Sequence, residues 1–215
     1  MSIFFPTPRK EELSPGVNSL IFDCGSTTVL VSSIAPGAKL DSHQHQQCQI
    51  GMSLNGQFEI DIAGQRKLLK PLQDAYIAGS NVLHGAINLS NQEVLGLDIK
   101  CFHSKVDGSK FLELCDEKDL KTGISFSFFN GLWFEIMIAK IPPGGVMHKH
   151  HHRQTQIGVA CRGKYIMSVG GEEEEFEFGK VYYSPPNVPH GAYNPFSQEA
   201  LSVNIFFPPR YHRFS

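Results

Sequence analysis

The chain matches itself. Displaced by the offset that carries His43 onto His150, Ile34-Ala-Pro-Gly37 falls on Ile141-Pro-Pro-Gly144. At the same offset His45, Gln49, Ile50, Gly51, Gly56 and Gly64 fall on His152, Gln156, Ile157, Gly158, Gly163 and Gly171. One residue is then lost in a hairpin region. Beyond it Tyr76, Asn81, Val82, His84, Gly85, Ala86 and Asn88 fall on Tyr182, Asn187, Val188, His190, Gly191, Ala192 and Asn194, and Gln92-Glu93 falls on Gln198-Glu199. A repeat of this length means that whatever the first half folds into, the second folds into again. It divides the 215 residues near residue 105, into domains 1–105 and 106–215. Each has about 100 residues, enough to bury its own core. The division is soft, because Ser104 to Thr122 carries little period-2 signal.

Both halves read as strands. Ser32 to Ile34, Gln49 to Leu54, Gln57 to Ile62 and Val94 to Ile99 are short and apolar or alternating. Leu132 to Ala139, Gln156 to Ala160, Lys164 to Val169, Glu175 to Phe178, Val181 to Ser184 and Ala200 to Phe207 repeat the pattern. Gly, Pro and Asn punctuate them at intervals of roughly 8–12 residues, which indicates an all-β sandwich or barrel. One helical piece is expected, Lys110 to Lys118. The acidic run Glu172 to Glu175 beside Phe176-Glu177-Phe178 reads as a strand with a solvated outer face rather than a cation site.

Composition narrows the function. With 41% hydrophobic and 19% charged residues the chain is an ordinary globular one, and its formal net charge of -2 comes without a basic stretch. No nucleic-acid partner and no membrane surface are expected. No run approaches the roughly 18 apolar residues of a membrane span, and MSIFFPTPRKEEL lacks the long apolar core of a signal peptide. Cys24, Cys48, Cys101, Cys115 and Cys161 are odd in number and scattered. Reduced thiols, mostly small core residues, and a cytoplasmic location are expected.

The chemistry sits in the repeated polar residues. The first half reads Gly37-x5-His43-x-His45-x3-Gln49-x6-Gly56, then His84-x3-Asn88; the second reads Gly144-x5-His150-x-His152-x3-Gln156-x6-Gly163, then His190-x3-Asn194. Residues i and i+2 of a strand share a face, so each His-x-His pair enters the barrel together. Four ligand-type residues at matching spacings in both halves point to two divalent transition metals per chain, from among Fe, Co, Ni, Mn or Zn. His148-Lys149-His150-His151-His152 offers two His-x-His pairs, but the spacings and the repeat both select His150 and His152. His151 should then face out. His148 should share the inward face, as a mouth-lining residue or a proton carrier.

These motifs resemble the two-part signature of the cupin superfamily, which implies a bicupin: two tandem double-stranded β-helix, or jelly-roll, barrels. The second half keeps Gly179-x5-Pro185-x-Asn187-x2-His190, with Asn where the family usually has Gly, while the first has Gln73 and Gly79 where the motif has Gly and Pro. Gln49 and Gln156 stand where the signature usually has Glu. Such a His₃Gln shell is neutral, leaves a bound metal its full charge, and favours an anionic chelating ligand such as a 2-oxo acid. It also supplies no carboxylate base.

HQHQQCQIGM, AYIAGSNVLHGAIN, QEVLGLDIK and PHGAYN followed by SVNIFFPPRY are similar to the bicupin isomerases of bacilysin biosynthesis. That resemblance covers most of the chain. It implies migration of a ring double bond in dihydro-4-hydroxyphenylpyruvate, from the endocyclic to the conjugated exocyclic position. It implies two metals on His43, His45, Gln49 and His84, and on His150, His152, Gln156 and His190. It also implies that Tyr211 touches substrate near the second site. A proton carrier of near-neutral pKa is needed, and His148 and Tyr211 are the candidates. Two other readings stay open: a cupin dioxygenase using Fe or Cu and O₂, and a non-catalytic cupin that binds a small acid. Exposed strands leave room for a homodimer.

Overall fold

A computed structural model describes residues 2–102 and 108–210. The chain packs into two units. One is Pro8–Glu113; the other runs from Leu114 onward and takes in the residues up to Thr7. The expected division between 105 and 106 falls in the stretch 103–107, outside the described residues.

The first unit is built from β1 (Arg9–Ser14), β2 (Val17–Cys24), β3 (Thr27–Ile34), β4 (Lys39–His43), β5 (Cys48–Asn55), β6 (Phe58–Ile62), β7 (Gln65–Leu69), β8 (Asp74–Ala78), β9 (His84–Ile87), β10 (Val94–Cys101) and β11 (Lys110–Glu113). The second contains β12 (Asp116–Asp119), β13 (Ser125–Asn130), β14 (Glu135–Ile141), β15 (Val146–His150), β16 (Thr155–Arg162), β17 (Lys164–Val169), β18 (Glu172–Glu177), β19 (Val181–Ser184), β20 (His190–Tyr193) and β21 (Ala200–Phe207). Among the described residues there is no α-helix, and none long and apolar enough to cross a membrane.

Each unit is a barrel of two facing antiparallel sheets. In the first, the order β1-β2-β3-β10-β5-β8-β11 faces β4-β9-β6-β7; in the second, β12-β13-β14-β21-β16-β19 faces β15-β20-β17-β18. Alternation decides the inward face: Phe58, Ile60 and Ile62 of β6 are buried while Glu59 and Asp61 between them are less so. The second core gathers Phe126, Phe128, Tyr165, Phe176 and Phe206. Each fully buried Phe contributes about 1.5–3 kcal/mol of transfer free energy. The acidic run is the expected strand, β18. Phe176 is buried, and the partly exposed Glu174 and Glu175 meet Lys180 and Lys164 at 3.4 and 2.9 Å.

The helix expected over Lys110 to Lys118 is instead two short strands. β11 pairs with β8 and places Phe111 against the first core, and β12 pairs with β13. Open sheet edges at β8 and β13 capture the chain, and this tertiary pairing overrides local helix propensity. The second barrel closes its corresponding edge differently. Phe4 O accepts a 2.8 Å hydrogen bond from Tyr183 N on β19, Phe5 joins the second core, and the Phe4 ring covers Gly170. A Cβ at Gly170 would collide with that ring.

Candidate metal centres

In the first barrel His43 ends β4 and lies directly opposite His84, the first residue of β9. His45 lies beyond β4, in the link to β5, so the pair is not two alternate residues of one strand as the spacing suggested. A bulge between Leu40 and His43 re-aims the end of β4. The link is held by Asn81, whose N–H donates to His45 O at 2.8 Å from a left-handed conformation (φ 57°) that Asn tolerates. Asn187 does the same for His152 O, with φ 63°.

All six imidazoles are fixed in the same way. His43, His45 and His84 donate Nδ1–H to the carbonyls of Asp41, Gln47 and Val82 at 3.0, 2.9 and 2.8 Å. His150, His152 and His190 donate theirs to the carbonyls of His148, Gln154 and Val188 at 2.9, 3.0 and 2.8 Å. A carbonyl only accepts, so each Nδ1 carries the proton and each Nε2 offers a lone pair inward. Burial lowers the pKa of His84 and of His190 to about 4, and lowers those of His45 and His152 as well. Neutral imidazoles are the form that binds metals.

The glutamine supplies the fourth donor atom. Gln49 Oε1 lies 3.1 Å from His45 Nε2 and 3.2 Å from His84 Nε2; Gln156 Oε1 lies 3.0 Å from His152 Nε2. Each amide NH₂ is committed elsewhere. Gln49 Nε2 donates to Tyr76 Oη at 2.8 Å and to Asp98 Oδ1 at 2.9 Å, and the Tyr76 hydroxyl also donates to Asp98. Gln156 Nε2 donates to Tyr182 and, at 3.1 Å, to Asn204 Oδ1, while the Tyr182 hydroxyl donates to Asn204 Oδ1 at 2.6 Å.

Register makes this network. Tyr76, Gly51 and Asp98 sit abreast on β8, β5 and β10, as do Tyr182, Gly158 and Asn204 on β19, β16 and β21. Each tyrosine ring crosses the glycine between, where any Cβ would collide with ring atoms of Tyr76 or Tyr182.

The result is four acceptor atoms facing one another with no donor among them, an arrangement that is repulsive until a cation fills it. The imidazole ligand atoms of each triad lie within 4.8 Å of one another. His190 Nε2 is buried without a hydrogen-bond partner, a burial that a metal bond offsets. The residues therefore fit a divalent metal in each barrel.

Around these matching centres the barrels differ. The second encloses a cavity of about 550 Å³ that reaches His150, His152 and His190 and is walled by Phe126, Met137, Ile141 and Met147. The corresponding inner space of the first is about 20 Å³, with a separate cleft of about 380 Å³ along His43, Gln49, Asp98 and Lys100. Lys100 stands opposite Gln49, and Phe206 opposite Gln156. Over Phe206 lies the Arg210 guanidinium, 3.3 Å from the ring centroid, lining the cavity. Arg210 Nε and a terminal nitrogen both donate to Glu135 Oε1, at 2.9 and 2.6 Å, and Glu135 is fully buried.

All eight expected ligands meet in their two groups of four. His151 is exposed, as expected. His148 is exposed too and is not among the residues lining the cavity. The bulge between Met147 and His150 breaks the alternation that should have put His148 inward, and Met147 lines the cavity instead. Tyr211 lies outside the described residues. Sequence reasoning missed Tyr76, Tyr182, Asp98, Asn204, Glu135 and the cavity-facing Arg210. The tyrosines were visible as a repeat match, and the Asp98–Asn204 mismatch within that register was the available signal. The cysteines are all free; Cys24, Cys48 and Cys101 are buried, Cys161 is intermediate, and Cys115 is exposed on the short link to β12.

Two jelly-roll barrels in one chain, each with three imidazoles and one amide oxygen converging on a cation-sized gap, define a metal-binding bicupin. The model of the cupin domain matches residues 137–206. The chain is 39% identical to the H2HPP isomerase of Bacillus subtilis over 98% of its own length and 92% of that protein's, and it belongs to that isomerase's family. The crystal structure of AerE from Microcystis aeruginosa superposes with a TM-score of 0.88 at 36% identity, covering 96% of this chain and 99% of that one. Bacillus subtilis oxalate decarboxylase, studied for its Mn(II) centres, shares the fold at 13% identity and a TM-score of 0.80, over 98% of this chain and 78% of that one.

Proposed function

We propose that the chain shifts a double bond in a 2-oxo acid such as dihydro-4-hydroxyphenylpyruvate, without consuming oxygen, and that the second barrel does so. The observation that carries this reading is the cavity of about 550 Å³ leading to His150, His152 and His190. Pockets for small organic ligands run from about 300 to 1,000 Å³ and are mostly apolar; the inner space of the first barrel suits about one water, and its separate cleft of about 380 Å³ has Asp41, Ser42, Asp98 and Lys100 in its lining. When bound, the metal, from among Fe, Co, Ni, Mn or Zn, supplies a Lewis acid that polarises the 2-oxo acid carbonyl and acidifies the adjacent C3–H. Arg210, ion-paired with the buried Glu135, presents its guanidinium to the substrate carboxylate. Met147, Phe126 and Ile141 offer the ring an apolar wall that excludes water.

Proton movement between C3 and a remote ring carbon needs a carrier. Tyr211, next in sequence to the cavity-lining Arg210, is the better supported; the exposed His148 is the other. In an anaerobic cuvette, metal-replete protein should convert dihydro-4-hydroxyphenylpyruvate to a product absorbing at longer wavelength. No change, or one that requires oxygen, refutes the reading and favours a dioxygenase. Tyr211→Phe should slow turnover by about 10²–10⁴-fold with metal content intact if the phenol carries the proton. A loss confined to KM would make it a substrate-orienting residue instead.

A further inference from the structure

The structure assigns the two metals different roles through one residue pair: Asp98 makes the first site a tight, charge-compensated metal site, and Asn204 leaves the second with charge for an anionic ligand. The second half of this statement rests on the isomerase reading above.

Asp98 and Asn204 occupy the same place in their barrels. Each accepts at Oδ1 from the glutamine NH₂ and the tyrosine hydroxyl. Asp98 thus puts a carboxylate one side chain behind the amide whose oxygen faces the metal. A formal negative charge there offsets part of the cation's charge and polarises Gln49 toward it, as outer carboxylates do in metal sites generally. Asn204 supplies the same hydrogen bonds without charge. A bound dication in the second barrel keeps its full charge, the nearby Arg210 being balanced by its ion pair with the buried Glu135.

The neighbouring residues fit this assignment. An asparagine has an NH₂ that must be satisfied when buried, and Asn204 Nδ2 donates to Ser202 Oγ at 3.1 Å. A carboxylate has no such donor, and the position matching Ser202 in the first barrel is Gly96. Asp98 with Gly96 is complete in itself, whereas Ser202 also hydrogen-bonds the buried Tyr165, where the first barrel has Phe58. The sets Asp98, Gly96, Phe58 and Asn204, Ser202, Tyr165 are therefore the exchangeable units. A Cβ at Gly96 would meet its nearest neighbour, Phe58, at 3.5 Å, an ordinary contact.

That exchange separates charge from packing. In a full-length His190→Ala background only the first site binds, and Co²⁺ is titrated in competition with a chelating dye. Asp98→Asn should weaken Co²⁺ binding by about 10–100-fold and lower the melting temperature of the metal-free protein. Adding Gly96→Ser should restore the melting temperature but not the affinity. Affinity that returns with Gly96→Ser, or that never fell, overturns the assignment and leaves Asp98 a packing role. In a His84→Ala background, Ser202→Gly with Asn204→Asp and Tyr165→Phe should tighten Co²⁺ and weaken oxalate binding to the Co²⁺-loaded protein by on the order of tenfold relative to Tyr165→Phe alone. Unchanged oxalate affinity overturns the second half. None of these measurements uses turnover, so failure of the isomerase reading would show separately, in the absorbance assay on the unaltered protein.

Discussion

The two barrels share their chelating atoms down to the tautomer of each imidazole, yet one has about 20 Å³ of inner space and a separate cleft of about 380 Å³ along His43 and Gln49, and the other opens onto a single cavity of about 550 Å³. What stands behind the glutamine differs, Asp98 against Asn204, and so does what stands beside it, Lys100 against Phe206 with Arg210 above. The duplicated chain thus separates two constraints. Four acceptors can converge on a cation only if every Nδ1–H, every amide NH₂ and each tyrosine–glycine pair stays in place. Cavity walls and outer charges are free to diverge, and there the two halves part.

The largest effect should come from breaking each chelate in turn. His84→Ala and His190→Ala should each lower bound metal from two to one per chain by elemental analysis. His190→Ala should also reduce turnover on the order of 10³-fold, the loss of several kcal/mol of Lewis-acid stabilisation, whereas His84→Ala should cost less than about tenfold. Equal losses of turnover would erase the contrast between the barrels. Either substitution stripping both metals would show that the sites are not independent.

A smaller effect is expected at Arg210. Arg210→Lys keeps a positive charge beside the fully buried Glu135 but loses the guanidinium fork over Phe206. KM should rise about tenfold with little change in kcat. A fall in kcat alone, measured at saturating substrate, would move Arg210 from binding to the chemical step.

Gly51→Ala and Gly158→Ala should, by contrast, behave alike. Each drives a Cβ into a buried tyrosine ring, and overpacking of this kind costs about 1–3 kcal/mol. The melting temperature should drop in both, and a difference between them would show that one tyrosine has room to retreat.

The smallest effect is a pH slope in the metal-free protein. Burial depresses the folded pKa of His84 and His190 to about 4, below the ordinary histidine value of 6.5. Between those values the unfolded chain binds more protons than the folded one, so stability falls as pH drops from 6.5 toward 4. Thermal unfolding at successive pH values should show this, and the slope should shrink in a His84→Ala/His190→Ala protein. A slope that survives both substitutions must come from other groups.

The repeat made the bicupin architecture legible, and with it the eight residues that converge in two groups of four, because such residues are few, polar and rigidly spaced. β17, β19 and β21 were also readable to the residue, since Lys164–Val169, Val181–Ser184 and Ala200–Phe207 are bounded by turn residues. What the sequence hid depends on neighbours far along the chain. Lys110–Glu113 looks helical until the open edge of β8 claims it. His148 looks inward until the bulge before His150 turns it out. Arg210 shows no role until Phe206 and Glu135 draw it over the cavity.

The clasp of Phe4 and Phe5 on the second barrel bears on the order in which the protein is made. Residues 4 and 5 leave the ribosome roughly 180 residues ahead of Tyr183 and the last of the core they join. At about 5–20 residues per second that is on the order of ten seconds or more, during which two phenylalanines wait exposed. The barrel of Pro8–Glu113 can close in the meantime, since all of its strands have emerged. Translation speed and chaperone supply should therefore affect completion of the second barrel, the one with the large cavity, more than that of the first.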